Sequence, residues 1–198
     1  VDWSFLADQA APARLEGDGP HIGIFGVIEP RKGHDVFLDA AERVLQAFPS
    51  ARFWIVGGLA LADKGAFHER IRARAASGVL AGRVTFTGHR DEVSAWMKAM
   101  DVVALPSVAH ESVGMSLIEA MTLGRPAVAS RIGVTDEIIR PGVTGALADR
   151  GDPASLADAI VALLRSDRES IGRAAASDMR ARFSPAAFCD GVLEIYRK

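Results

Sequence analysis

Two glutamates, Glu111 and Glu119, stand in the stretch "AHESVGMSLIEAMTLGRPAVAS", with Gly114 between them and a helical pattern opening just past that glycine. Far upstream, "IEPRKGH" sets Arg31 and Lys32 beside a glycine. Arginine offers a planar fork to phosphate oxygens, and lysine a compact positive charge. A helix start near Ser116 adds free N–H groups, and its dipole contributes about 0.3–1 kcal/mol toward an anion. Gly114 lets a ligand come close to the backbone. Carboxylates repel phosphate, but they accept hydrogen bonds from hydroxyls, at about 1.5–3 kcal/mol for each such charge-assisted bond. A ligand with hydroxyls on both sides of a phosphate would use all of these groups. A sugar nucleotide (hexose, diphosphate, ribose) has that layout. Each feature alone has a plainer reading: a solvated basic pair, a loop glutamate in water, a helix-start acid favoured by the dipole. Their combination points to the ligand.

Competing motifs are absent. No G-x-x-x-x-G-K-[ST] loop occurs, and "GIFGVI" lacks the third glycine of the dinucleotide fingerprint. Ser107 has no G-x-S-x-G setting and no base beside it in sequence, which argues against a nucleophile. His21, His34 and His68 lack metal-ligand spacing and read as structural or solvated. His89 and His110 are within reach of a base or phosphate on the ligand reading and are partly exposed loop histidines on the plainer one. Trp54 and Trp96 read as core and helix packing, and Cys189 as a small apolar filler.

The elements that must position these residues alternate. Apolar runs predict strands at 21–27, 51–58, 83–88, 101–107 and 125–130, with a shorter one at 144–149. Helical spacing predicts helices over 35–48, 65–77, 91–100 (capped by Asp91) and 116–123. Three more follow over 153–165, 168–182 and 185–197, with Asp152 and Ser184 as caps and Pro153 and Pro185 in first turns. Near-continuous apolar strands alternating with helices imply an α/β fold: a doubly wound, Rossmann-like parallel sheet of about six strands, covered on both faces. The commonest six-strand order places the first and fourth strands side by side, and ligands bind beyond their carboxyl ends. That order brings "IEPRKGH" against "PSVAHESVG".

Bulk composition narrows the function. A net charge of −2 argues against a nucleic-acid partner. No run nears the roughly 18 apolar residues of a membrane span, and the first thirty residues lack a signal pattern. A single cysteine makes no internal disulfide, so a cytoplasmic location is the default.

These motifs resemble the C-terminal, donor-binding domain of GT-B retaining glycosyltransferases of the family-four or group 1 type. The resemblance spans nearly the whole chain. It runs through "GVIEPRKGHD", "FWIVGG", "VTFTGHRDEVSAWMKAMDVVALPS", "ESVGMSLIEAMTLGRPAVAS" and "GVTDEIIRPGVTGALAD". It implies one half of a GT-B fold that transfers a hexose from a UDP- or GDP-linked sugar to an unknown acceptor, with retention and without a metal or other cofactor. It implies that Lys32 and Arg31 contact the diphosphate, Glu111 the transferred sugar and Glu119 the ribose. Further donor contacts are implied at Gly26, at Gly114, Met115, Ser116 and Leu117, and at His89 and Arg90 near the base. "VDWSF" resembles the end of an interdomain linker. Residues 1–20 are therefore expected to be linker, and 184–198 a helix packing toward an acceptor domain outside this chain. Such a half is expected to bind donor and transfer poorly, and peripheral membrane association would belong to the full protein. Two positions depart from the pattern: Val27 stands where the family has arginine, and Gly133 stands alone where a glycine pair is usual. A nucleotide-binding or assembly module without transferase activity, and a sugar-nucleotide epimerase, are the competing readings. A phosphorylase would need a pyridoxal-phosphate lysine, and the glutamate block speaks against it.

Overall fold

The computed structural model describes residues 11–59 and 65–197. The expected linker lies partly outside them, "VDWSF" included; 11–20 form neither helix nor strand. Six strands, β1 (His21–Phe25), β2 (Arg52–Val56), β3 (Val84–Gly88), β4 (Val102–Leu105), β5 (Ala127–Ser130) and β6 (Ala146–Ala148), pair in parallel in the order β3-β2-β1-β4-β5-β6. The helices are α1 (His34–Ala47), α2 (Ala66–Ala75), α3 (Val93–Lys98), α4 (Met115–Thr122), α5 (Val134–Ile138), α6 (Pro153–Arg165), α7 (Arg168–Phe183) and α8 (Pro185–Tyr196).

The strands are apolar on both sides because helices cover both sides. Ile22, Ile24, Phe53, Ile55, Val102 and Ala104 share a core with Phe37 of α1, Ile71 of α2 and Ile160 of α6. Phe25, Trp54, Val56 and Val103 meet Met97 of α3 and Ala120 of α4. Leu105 and Ala129 meet Leu117 of α4 and Met179 of α7. Side chains alternate between the two faces of the sheet with the strand period of two, so one residue of slip would exchange the faces.

Local chemistry sets the ends. The Asp152 side chain accepts hydrogen bonds from the N–H groups of Ala154 and Ser155 and starts α6, with Pro153 in its first turn. That helix buries Leu156, Ile160, Leu163 and Leu164, each contributing roughly 1.5–3 kcal/mol. Gly124 (φ +71°) closes α4, and Gly172 of α7 lies so close that an added Cβ would overlap the Gly124 carbonyl oxygen.

Several expectations are corrected. Glu92, not Asp91, occupies the position before α3, because the Asp91 carboxylate stands in solvent 3.3 Å from His89 Nε2. α5 was not foreseen, since its length of 5 residues is too short to show a period. The strand expected over 101–107 stops at Leu105, where Pro106 removes a ladder donor. Cys189 is exposed rather than filling a core, for α8 buries none of its residues among those described. Ser184 does cap α8, accepting from the Ala187 N–H, yet Phe188, Leu193, Ile195 and Tyr196 stay exposed.

Candidate functional site

The first turn of the site is forced by two close backbone approaches. Past β1 the chain bends at Gly26 (φ +129°), whose N–H donates to the Val56 carbonyl at 3.0 Å. A Cβ on Gly57 would overlap the Gly26 carbonyl oxygen, so the ends of β1 and β2 touch directly. Pro30–Lys32 then form one 3-10 turn that ends at Gly33 (φ +72°). A Cβ on Gly33 would collide with the carbonyl oxygen of Pro106, just beyond β4. The Val108 N–H donates to the Arg31 carbonyl at 2.9 Å. The basic turn is thereby fastened to the loop after β4, where the strand order changes direction.

The charged side chains meet at that joint. Glu111 Oε1 accepts from Lys32 Nζ at 2.6 Å, from Ser107 Oγ at 2.7 Å and from Arg31 Nη1 at 3.2 Å. No described residue donates to Oε2. Side-chain exposure rises from 7% at Glu111 to 15% at Lys32 and 45% at Arg31. Arg31 also pairs with Glu29 at 2.7 Å. Burial pushes the Glu111 carboxyl up; hydrogen bonds from Lys32 and Ser107, with the charges of Lys32 and Arg31, more than offset this and hold it below the usual carboxylate range.

Glu119 sits in the opposite environment. It takes no hydrogen bond or ion pair from any described residue, and burial alone pushes its carboxyl up. Together with Gly26, Val27, Gly57, His89, Arg90 and Ser116 it lines a cavity of about 250 Å³. Phe25, Val56, Val93 and Met97 supply apolar wall. Val27 is 43% exposed at this cavity. Arg90 lies over the Trp96 ring at 5.2 Å, and Trp96 in turn packs on Trp54. No side chain caps α4, whose preceding residue is Gly114 (φ +67°); N–H groups of its first turn are left for an anion.

The structure thus brings Arg31, Lys32 and Glu111 into contact, and gathers Gly26, His89, Arg90, Ser116 and Glu119 around one cavity. Lys32 Cε lies 3.9 Å from where a Cβ on Gly26 would stand, which joins the two groups. Met115 is exposed beside them at the helix start. Leu117 stands apart: its side chain is in the core and its N–H already donates to the Gly114 carbonyl. His110 is exposed. His34 is buried, and desolvation lowers it to about 4, so it is neutral at pH 7. Sequence reasoning missed Ser107 as a partner of Glu111. It is wholly buried, and the available signal was a hydroxyl directly past a strand end and a turn away from an acid. Among the described residues, no group of three His, Cys, Asp or Glu could hold a metal ion, and no helix is long and apolar enough to cross a membrane.

Comparison with known proteins gives concordant findings. The family model "Glycosyl transferases group 1" matches residues 19–166. The phosphatidyl-myo-inositol mannosyltransferase of Mycobacterium leprae is 37% identical over 172 residues, covering 85% of this chain and 43% of the relative. The D-inositol 3-phosphate glycosyltransferase of Corynebacterium urealyticum is 34% identical, covering 89% and 42%. The crystal structure of HepE from Anabaena in complex with UDP and glucose matches with a TM-score of 0.80 and 27% identity, covering 89% of this chain and 48% of that one. The chain spans less than half the length of each of these three proteins.

Proposed function

This chain belongs to the group 1 glycosyltransferase family, and from that premise we propose that it is the donor-binding half of a retaining enzyme that takes a hexose from a nucleoside diphosphate sugar. The single observation that carries the reading is the contact of Lys32 and Arg31 with Glu111 at the joint of the β1 and β4 loops. It supports the reading because cations suited to phosphate stand beside a carboxylate suited to hydroxyls. The diphosphate would lie on Lys32, Arg31 and the first turn of α4. The free Oε2 of Glu111 would accept from a hydroxyl of the hexose, and Glu119 from the ribose. The base would enter the apolar cavity by His89 and Arg90. Support comes also from HepE, a structural neighbour whose crystal structures hold UDP with glucose and UDP-glucose.

In the transfer so proposed, the bond from the anomeric carbon to the diphosphate oxygen breaks, and its electron pair leaves with the diphosphate. The acceptor oxygen bonds to that carbon on the same face, and its proton passes to the departing diphosphate. Lys32, Arg31 and the α4 amides stabilise the developing charge. No metal is assigned a part. The acceptor, and any peripheral membrane contact, would be handled by sequence outside this chain, toward which the exposed apolar side chains of α8 would turn. The lone cysteine suits a reducing cytoplasm.

Calorimetry with UDP, GDP and their hexose conjugates tests this. Binding of one diphosphate, weakened at least about tenfold by Glu119→Ala, is expected. Absence of binding by every member of the panel would overturn the reading. One observation favours a second reading, a binding module without transfer: Val27, with no charge to give, occupies the cavity edge where the family pattern has arginine.

A further inference from the structure

A second, larger cavity, of about 470 Å³, opens at the opposite, amino ends of the strands, where β4 and β5 begin. Its walls come from α3, from the turn closing α4 and from α7. Lys98, Arg125, Arg168, Arg173 and Arg180 line it, against Asp101 and Glu169. A chain whose net charge is −2 thus gathers a surplus of positive charge in one hollow.

The two carboxylates are already engaged. Asp101 pairs with Arg168 at 3.4 Å and accepts from the His21 N–H at 2.8 Å. Glu169 pairs with Arg173 one turn along α7. Arg125 and Arg180 therefore have no carboxylate partner among the described residues. Arg125 is the telling one. It is partly buried, its Nε–H is buried with no acceptor among the described residues, and its side chain's hydrogen bond, from Nη1, goes to the Lys98 carbonyl at 3.2 Å. A guanidinium withdrawn from water is costly unless an anion compensates it, and an orphaned buried donor calls for a missing partner. Thr122, which also lines the hollow, has a buried hydroxyl with no partner either.

We propose that this arginine-lined cavity is a binding site for the phosphoryl group of a phosphorylated small molecule, separate from the candidate donor cleft and independent of its assignment. The partly buried Arg125 and the exposed Arg180, which both line the cavity, would each offer a guanidinium to the anion. Guanidinium forks match phosphate oxygens two at a time, and the volume suits a ligand of sugar-phosphate size. A phospholipid headgroup carries the same group, so the test separates the two sources.

The whole chain is titrated with inorganic phosphate and with glucose 6-phosphate. Two-dimensional NMR reports the arginine Nε–H resonances, in parallel for Arg125→Gln, Arg180→Gln and Lys32→Ala. Sedimentation with phosphatidylglycerol vesicles, against phosphatidylcholine alone, forms the lipid arm. The proposal expects millimolar or tighter binding that shifts the Arg125 resonance, weakens about tenfold in each arginine variant and survives Lys32→Ala. Vesicle binding with the same arginine dependence, without a response to the soluble anions, would identify a headgroup as the source. Three outcomes overturn the proposal: no response in either arm, equal binding by the arginine variants, or binding lost only in Lys32→Ala, which would place the anion in the donor cleft. Arg180 is exposed, so its variant stays informative should Arg125→Gln fail to fold.

Discussion

Glu111 and Glu119 share a motif, yet the fold gives them contrary surroundings. Glu111 is nearly buried and held through one oxygen by two cations and a hydroxyl. Glu119 is half-buried against apolar wall with no partner among the described residues. The first is favoured in its ionised form because donors outweigh its desolvation; the second has no described donor to offset its own. The difference teaches that sequence spacing brings two acids to one cleft, while the donors around each decide its task. One orders the loops in the absence of ligand. The other carries an unmet demand for hydrogen-bond donors that a ligand's hydroxyls can fill.

The largest effect expected from breaking this contrast is at Lys32. Lys32→Ala leaves the Glu111 carboxylate with Ser107 and the half-exposed Arg31 alone. It should lower unfolding free energy by about 1–3 kcal/mol and weaken the bound nucleoside diphosphate roughly 10–100-fold, read by urea titration and calorimetry. Unchanged affinity would remove the diphosphate role.

Next comes Glu119→Gln, with opposite signs for stability and binding. Affinity for the diphosphate should fall about tenfold, while the melting temperature holds or rises because a desolvated, unpartnered charge is gone. The pH dependence separates the two acids. Glu111, lowered in the fold, contributes stability that is present above its unfolded pKa and lost as pH falls through its folded one. Glu119, raised by burial, has the reverse sign: its favourable share is present below its unfolded pKa and lost as pH rises through its folded one. Glu111→Gln should therefore cost stability at neutral pH and little in acid, whereas Glu119→Gln should help at neutral pH and do little in acid. Parallel pH profiles would erase the contrast.

Ser107→Ala should cost about 1 kcal/mol and shift acid unfolding to higher pH. Nucleotide affinity should change less than about threefold, as expected for a residue that acts through Glu111. Full additivity with Glu111→Gln in a double-mutant cycle would show that the 2.7 Å bond orders nothing. The smallest effect is expected from Val27→Arg, a few-fold tightening of diphosphate binding. An unchanged constant would mean that this edge of the cavity does not face the phosphates.

Much of this was legible before any coordinates. The apolar runs gave six strands, and the switch-point rule put the basic turn beside the acidic loop, as the 2.6 Å contact of Lys32 with Glu111 bears out. Pro153 and Asp152 marked the start of α6 because capping is local chemistry. The unread parts are tertiary. Ser107 was weighed as a nucleophile and set aside for want of a G-x-S-x-G setting and a base; that its hydroxyl turns back onto Glu111 is not visible in sequence. The contrary electrostatics of the two glutamates depend on what packs around each. α5 was too short to carry a period. Cys189 read as a small apolar filler by its residue type alone, but the helix that carries it buries none of its residues among those described.

The meeting of Gly172 with Gly124 has a mechanical consequence. Main chain rests on main chain there, so no change of side-chain size can shim the joint without forcing it apart. The helix that carries Glu119, α4, and the long helix α7 are keyed together at a fixed spacing. The last helix, α8, therefore starts from the end of a helix whose spacing from the cleft is fixed.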